Sequence, residues 1–466
     1  MTRLLIVGGS DAGITAALRA RELDPAADVT VVVADAYPNF SICGIPYYFT
    51  GEVRPWQSLA HRTVAELEAT GMRLRLDTLA TAIDVEAKRL EVAGEHGLES
   101  IGYDELIVGT GALPSRAGIR GLDGPAALGA ADGVHVMHSM SDTFALERDL
   151  AERSPGSAVI IGAGYVGLEM AEAFRSRGMR VLQIQRGTEV LSTLDPELGR
   201  LVRTELESHG VDVQLDSTVH AIDRSNDGLV VSGVRRGEPF TVRSELVLAV
   251  VGVRPNTALL ERAGARLGAG GAVVVDEAMR TGLPHVWAAG DGVVTHHRLL
   301  GETYLPLGTT SHKQGRVAGE NALGGAALFA GSVGTQVVKV FDLVAARTGL
   351  RSREAVQAGF DPLTVAASAD DHKAYYPGAN PIEFRVTGGA GDHRLLGAQL
   401  VGRRGSEVAK RVDTFASALY AGLTVEQLSD LDLSYTPPLG SPWDAVQVAA
   451  QTWERAARAA VATPVR

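Results

Sequence analysis

Thiols are scarce in this chain: Cys43 is the only cysteine among 466 residues. No intramolecular disulfide can form, which fits a reducing, cytoplasmic compartment. No run reaches ~18 uninterrupted apolar residues, so a membrane-spanning helix is not expected. Basic residues are the minority, 44 against 55 acidic ones, for a net charge of −11. That balance points away from nucleic acid and anionic membranes as partners. Short-period repeats are missing too. The opening residues, Met1 to Gly9, run directly into a strand and a glycine loop and leave no room for a signal peptide. With 45% hydrophobic and 21% charged residues the composition is globular, and the length suits about two to four domains.

What the chain does have is glycine in two matched settings. Leu4 to Val7 reads as a buried parallel strand, Gly8 to Gly13 as a turn, Ile14 to Leu23 as a helix and Val29 to Val33 as a second strand. That order is a βαβ opening. It returns roughly 150 residues later, with a strand at Ala158 to Ile161, a turn at Gly162 to Gly167, a helix through Arg177 and a strand at Val181 to Ile184. Asp104 to Val108 and Leu246 to Val251 read as further strands, each ending in a glycine turn. From about Thr335 the texture changes. Val337 to Phe341 and Leu395 to Leu400 predict a mixed sheet, and Val408 to Leu419 and Val446 to Ala460 predict helices, together an α+β tail after a boundary at Gly324 to Gly334.

In the first loop, Gly8 permits the tight turn and Gly13 the close helix–strand packing, while Ser10 takes the middle position of G-x-G-x-x-G. The helix that follows offers free N–H groups and a positive dipole end to a pyrophosphate. An acid for the ribose is expected at the end of the second strand. Val33 stands there, and Asp35 is the first available acid: either it serves the ribose, or it is a solvated turn residue. The second loop, with Gly162, Gly164 and Gly167, is a complete fingerprint. Its second strand ends at Gln185-Arg186. A carboxylate there would repel a 2′-phosphate, and neutral Gln185 beside Arg186 removes that repulsion and accommodates NADPH. The bland alternative is a solvated arginine. Cys43, lying between the two fingerprints, suggests electron transfer from a nicotinamide through a flavin to sulfur, against the plain alternative of a small buried hydrophobe.

These motifs are joined by Phe40-Ser41-Ile42-Cys43-Gly44-Ile45-Pro46-Tyr47, Thr110-Gly111-Ala112, Val251-Gly252-Val253-Arg254-Pro255-Asn256, Ala288-Ala289-Gly290-Asp291 and Ser434-Tyr435-Thr436-Pro437-Pro438. In them, and over essentially its whole length, the chain resembles the single-cysteine flavoprotein branch of the pyridine nucleotide-disulfide oxidoreductases. That branch holds coenzyme A disulfide reductases, NAD(P)H persulfide and polysulfide reductases, NADH oxidases and NADH peroxidases. The resemblance implies an α/β fold with two Rossmann-like domains. FAD would be bound by residues 1–111 and 252–325, NAD(P)H by an inserted domain at 112–251, and residues 332–466 would form an α+β dimerisation domain of a homodimer. It adds Thr110, Gly111, Gly252, Gly290 and Asp291 to the FAD site, with Asp291 on the ribityl chain, and Glu169 to the NAD(P)H site. It also implies that Tyr375 or Tyr376, and Tyr435, approach Cys43 from the partner subunit, with coenzyme A as an optional carrier thiol.

Only a thiolate is an effective nucleophile, so Cys43 needs a lowered pKa, for which a helix N-terminus near residue 43 is expected to supply N–H groups. Position 48 is Tyr, so no second cysteine can store the electrons internally. Cys43 must cycle through a mixed disulfide with a small thiol, a persulfide or a sulfenic acid. Some residues depart from the family's patterns. Arg21 is followed by Glu22 where the coenzyme A enzymes carry an arginine pair, although Arg19 remains; Ile42 replaces a polar residue; Asp11 stands where the peroxidases have histidine. The leading expectation is an NAD(P)H-dependent reductase of a small disulfide or persulfide. Its rivals are an NAD(P)H oxidase and a non-catalytic flavin redox sensor. No metal site is expected, since His296 and His297 would point to opposite faces of a strand. Trp453 to Val461 reads as a solvated amphipathic helix.

Overall fold

The computed structural model describes residues 2–462. Its contacts divide the chain into two compact units. The first takes the residues up to Ser115 with Met137–Ala145 and Gly252–Ser332; the second takes Arg116–Val136, Leu146–Val251 and the residues from Val333 onward.

At the centre of the first unit lies Arg3–Val7, an apolar strand buried on both faces beyond its first residue. Asp28–Val32 pairs with it on one side and Glu105–Val108 on the other, both parallel. Val286–Ala288 and Arg73–Arg75 complete a five-stranded sheet. Strand order reverses about Arg3–Val7, so its carboxyl end is the switch point where open α/β sheets bind ligands. The helix that follows begins at Asp11, inside the expected turn, with Ser10 as its extended N-cap and an acid in its first turn that suits the dipole. It packs directly on Gly308–Asn321, where a Cβ added to Gly315 would fall 2.3 Å from the Ala12 carbonyl oxygen. The chain leaves and rejoins this unit as an antiparallel pair, Ala112–Pro114 with Val253–Pro255.

The second unit repeats the arrangement. Ser157–Ile161 runs parallel to Arg180–Ile184 on one side and Leu246–Ala249 on the other, with Val211–Gln214 and Val134–His135 at the edges. A separate five-stranded sheet follows, in the order Gln336–Val340, Leu343–Gly349, Leu395–Arg403, Pro381–Gly389, Pro362–Asp370. Every pairing in it is antiparallel, not mixed as the sequence suggested. The cause is local: the first two strands are joined by a tight turn at Phe341 and Asp342, and parallel neighbours need crossovers of a dozen or more residues. The closing helix, Ala445–Ala462, also departs from expectation. It is not simply solvated, because Trp453 is fully buried and its indole N–H donates to the Leu363 carbonyl at 2.8 Å, while Arg458 on the opposite face is exposed. Among the described residues no helix is long and apolar enough to cross a membrane.

Replacing Trp453 by Ala should cost about 3–5 kcal/mol, against less than about 0.5 kcal/mol for Arg458→Ala. The urea unfolding midpoint of the whole protein, for each variant, checks this.

Candidate active site

The first glycine loop brings backbone against backbone. Gly8 has φ 114°, and a Cβ on it would fall 2.1 Å from the Gly109 carbonyl oxygen, while one on Gly13 would fall 2.0 Å from the Gly8 carbonyl oxygen. Ser10 is exposed and makes no side-chain cap, so the first N–H groups of the helix face outward for an anion. Asp35 lies just past the end of Asp28–Val32, half-buried. Burial pushes its carboxyl above the usual range, against the pull of the Tyr37 N–H that donates to it at 2.9 Å. Asp35 thus combines a turn contact with partial burial. Nearby Asn39 is 5% exposed, and its amide nitrogen has no hydrogen-bond partner among the described residues. The Gly290 N–H donates to Gln314 Oε1 at 2.9 Å and sets the turn that presents Asp291. The Asp291 carboxyl is pushed up by burial while the Ser311 hydroxyl donates to it at 2.7 Å. A glycine cradle at a helix N-terminus, two partly desolvated carboxylates and an unsatisfied buried amide fit FAD.

Thr110, Gly111 and Gly252 hold the chain crossings. The Thr110 hydroxyl donates to the Asn256 carbonyl at 2.7 Å, the Asn256 N–H to the Gly111 carbonyl at 2.9 Å, and the Ser115 N–H to the Gly252 carbonyl at 2.8 Å.

Cys43 is tied to the same loop through the backbone. The Asn39 N–H donates to the Gly9 carbonyl at 2.6 Å, and the Ser41 N–H to the Leu59 carbonyl at 2.8 Å. Cys43 then sits exposed in a single 3-10 turn, Ile42–Gly44, that runs into the short helix Ile45–Thr50. Four rings wall this segment: Tyr37 lies 5.9 Å from Phe40 and 5.2 Å from Phe144, and Trp56 lies 5.6 Å from Phe40 and 5.0 Å from Phe144. An acid–histidine group stands at the start of the first helix. His312 Nε2 is 3.5 Å from Asp11, and its Nδ1 is 2.8 Å from the Thr15 hydroxyl. Burial pushes the Asp11 carboxyl up, while His312 and His61 pull it down. Sequence reasoning missed both features. Only the density of aromatics from Tyr37 to Trp56 hinted at the first.

The second loop repeats the first: a Cβ on Gly162 would fall 2.4 Å from the Val250 carbonyl oxygen, and one on Gly167 would fall 2.3 Å from the Gly162 carbonyl oxygen. Gly164 caps the helix Tyr165–Ser176 and has no atom within 4 Å of where its Cβ would stand. The cradle is therefore open to a second pyrophosphate. Glu169 lies one turn further along and adds to the burial that raises the Tyr165 phenol. The Tyr165 hydroxyl is 3.3 Å from that of Thr193, in a loop that arginines anchor. Arg347 donates to the Thr193 carbonyl at 2.8 Å, and Arg351 to the Ser192 and Leu194 carbonyls at 2.7 and 3.0 Å. Both arginines share Glu354, each at 2.6 Å. Although burial opposes it, these guanidinium groups hold the Glu354 carboxyl at about 2. Gln185 follows the strand end and donates its amide to the Glu189 carbonyl at 3.2 Å; Arg186 is exposed.

Tyr375 and Tyr435, 60 positions apart (435 − 375), come together: slight desolvation and then the Tyr435 hydroxyl raise the Tyr375 phenol, and both rings are exposed. Tyr376 faces elsewhere, edge-on to His372 at 5.8 Å. The two first-helix arginines are already engaged. Arg19 pairs with Glu22 at 2.9 Å and Glu320 at 2.5 Å, and Arg21 donates to the Thr70 and Ala27 carbonyls at 2.8 and 2.7 Å. His296 is exposed and His297 buried, on opposite faces of Thr295–His297. A Glu205, His209 and Asp342 group has metal-like proximity, but Arg403 occupies the Glu205 carboxylate at 2.9 Å.

Two dinucleotide cradles and one exposed thiol define a nucleotide-linked redox enzyme. Residues 2–315 match the pyridine nucleotide-disulphide oxidoreductase family and residues 335–445 its dimerisation domain. The chain belongs to this family and is an FAD-dependent NAD(P)H oxidoreductase that forms a homodimer. It is 33% identical to the NAD(P)H coenzyme A polysulfide/persulfide reductase of Pyrococcus horikoshii over 456 residues, covering 96% of this chain and 98% of that one. It is 30% identical to an NADH oxidase of Methanocaldococcus jannaschii over 454 residues, 96% of this chain and 98% of that one. The solved NAD-dependent persulfide reductase of A. fulgidus superposes with a TM-score of 0.91 at 35% identity, over 98% of this chain and 84% of that one.

Glu354 also makes the arginine anchor pH-dependent. Its folded pKa lies below the ordinary value of about 4.3, so the stabilisation is complete above that value and is lost as pH falls towards about 2. The thermal midpoint of the native protein should drop through this window. Glu354→Gln should start lower at neutral pH and show a shallower acid slope.

Proposed function

We propose that the chain reduces a small disulfide or persulfide at Cys43, with electrons from NAD(P)H, in the cytoplasm. One observation carries this reading: the chain's lone thiol is exposed on a turn four residues after Asn39, whose N–H donates to the Gly9 carbonyl of the first glycine loop. FAD is assigned to Gly8, Ser10, Gly13, Asp35, Thr110, Gly111, Gly252, Gly290 and Asp291 in residues 1–111 and 252–325. The nicotinamide nucleotide is assigned to Gly162, Gly164, Gly167, Glu169, Gln185 and Arg186 in residues 112–251. When bound, FAD supplies the two-electron relay from the nicotinamide to sulfur.

The protein's own part is sulfur chemistry. The Cys43 thiolate attacks one sulfur of a disulfide, a Cys43–sulfur bond forms, the substrate's S–S bond breaks, and one thiolate leaves. Two electrons and a proton then split the mixed disulfide into the second thiol and the Cys43 thiolate. We assign protonation of the leaving thiolate to Tyr375 and Tyr435 of a second copy, a role supported by their paired, exposed hydroxyls in the region that matches the dimerisation domain. A coenzyme A thiol is the carrier of first choice because the P. horikoshii relative is named for it. The engaged Arg19 and Arg21 leave its adenosine phosphates to other residues.

A second reading is favoured by the likeness to the M. jannaschii NADH oxidase: oxygen as acceptor, with Cys43 passing through a sulfenic acid. One anaerobic experiment separates the two. Protein reduced by NADPH or NADH is offered coenzyme A disulfide, cystine, glutathione disulfide or polysulfide in turn, and flavin reoxidation is followed. Rapid reoxidation by one of them, slowed at least about 1,000-fold in Cys43→Ser, is the expected result. Reoxidation only in air selects the oxidase.

A further inference from the structure

We propose that the second nucleotide site selects NADPH over NADH, with Arg186 as the contact to the 2′-phosphate; this rests on the reading of that loop as the nicotinamide nucleotide site. The adenosine ribose of a nucleotide in a βαβ cradle lies at the end of the second strand, where an acid accepts from the 2′-hydroxyl and excludes a phosphate. Here that strand, Arg180–Ile184, is followed by Gln185 and Arg186.

The surroundings give the turn a positive sign. Gln185 has no charge, and its amide is turned back onto the Glu189 carbonyl at 3.2 Å. Two carboxylates border the turn, and an arginine has already neutralised each. Glu189 is 8% exposed, accepts from Arg203 Nε at 3.0 and 3.2 Å and from the Val190 N–H at 3.0 Å, and so cannot swing out to a ribose. Asp216, whose N–H donates to the Gly187 carbonyl at 3.1 Å, is paired with Arg236 at 2.9 Å. Arg186 alone keeps its charge uncommitted: it is exposed and carries no ion pair among the described residues. Exposed Thr188 supplies a hydroxyl two positions on. A dianionic phosphate meets an unpaired guanidinium here and no free carboxylate, whereas a bare 2′-hydroxyl meets no acid to accept its proton.

Binding to the intact, flavin-loaded protein tests this without any sulfur acceptor. Calorimetric affinities for 2′-phospho-AMP and for AMP are compared, together with anaerobic rates of flavin reduction by NADPH and NADH. The 2′-phosphorylated form of each pair is expected to be favoured at least about 10-fold, a preference that salt weakens. Arg186→Ala should remove that preference, Arg186→Lys should keep part of it, and Gln185→Glu should turn it towards NADH. Flavin content and thermal midpoint confirm that each variant folds. Equal affinities in the native protein, or an Arg186→Ala variant that weakens both ligands alike, overturns the inference. If neither nucleotide reduces the flavin, the proposed function falls first and the inference with it.

Discussion

At the carboxyl ends of Arg3–Val7 and Ser157–Ile161 the backbone lies closer to a neighbouring carbonyl than any side chain permits. Gly8 passes over Gly109, and Gly162 over Val250. The helix after each loop can start at once only because of this contact, which leaves its first N–H groups unpaired by the chain itself. An anion completes them better than water does, because the axis dipole adds to the hydrogen bonds. The two halves of the chemistry therefore rest on one steric condition met twice, and the residues around each loop decide what each holds.

Charge is where the loops part company. Around the first, Asp35 and Asp291 are partly desolvated and raised, a setting suited to hydroxyl-rich ribose and ribityl groups that donate to them. Around the second, Glu189, Asp216 and Glu354 are each bound to arginine. The same backbone turn thus stands in two different charge environments.

What the sequence disclosed was local. Glycine spacing, four- and five-residue apolar strands and the lone cysteine are features of short windows, and they pointed to both glycine cradles and the exposed thiol. The ring wall joins Tyr37, Phe40 and Trp56 to Phe144, and the acid–histidine group joins Asp11 to His312; separations of that size leave no periodic trace. Trp453 was misjudged for a related reason. An alanine- and arginine-rich helix looks solvated until the strand that takes its indole is known. The mixed sheet was expected because apolar runs such as Leu395–Leu400 suit either direction, and only the short connections decide it.

The paired crossings, Ala112–Pro114 with Val253–Pro255, hold the outgoing and returning chain one strand spacing apart, about 4.8 Å. A segment whose two ends are fixed side by side places little demand on its host. It can lengthen, shorten or be exchanged for a relative's without moving the strands that carry the first cradle. Met137–Ala145 is the exception: it belongs to the first unit, where Phe144 packs on Tyr37 and Trp56, so change in the segment must spare that stretch.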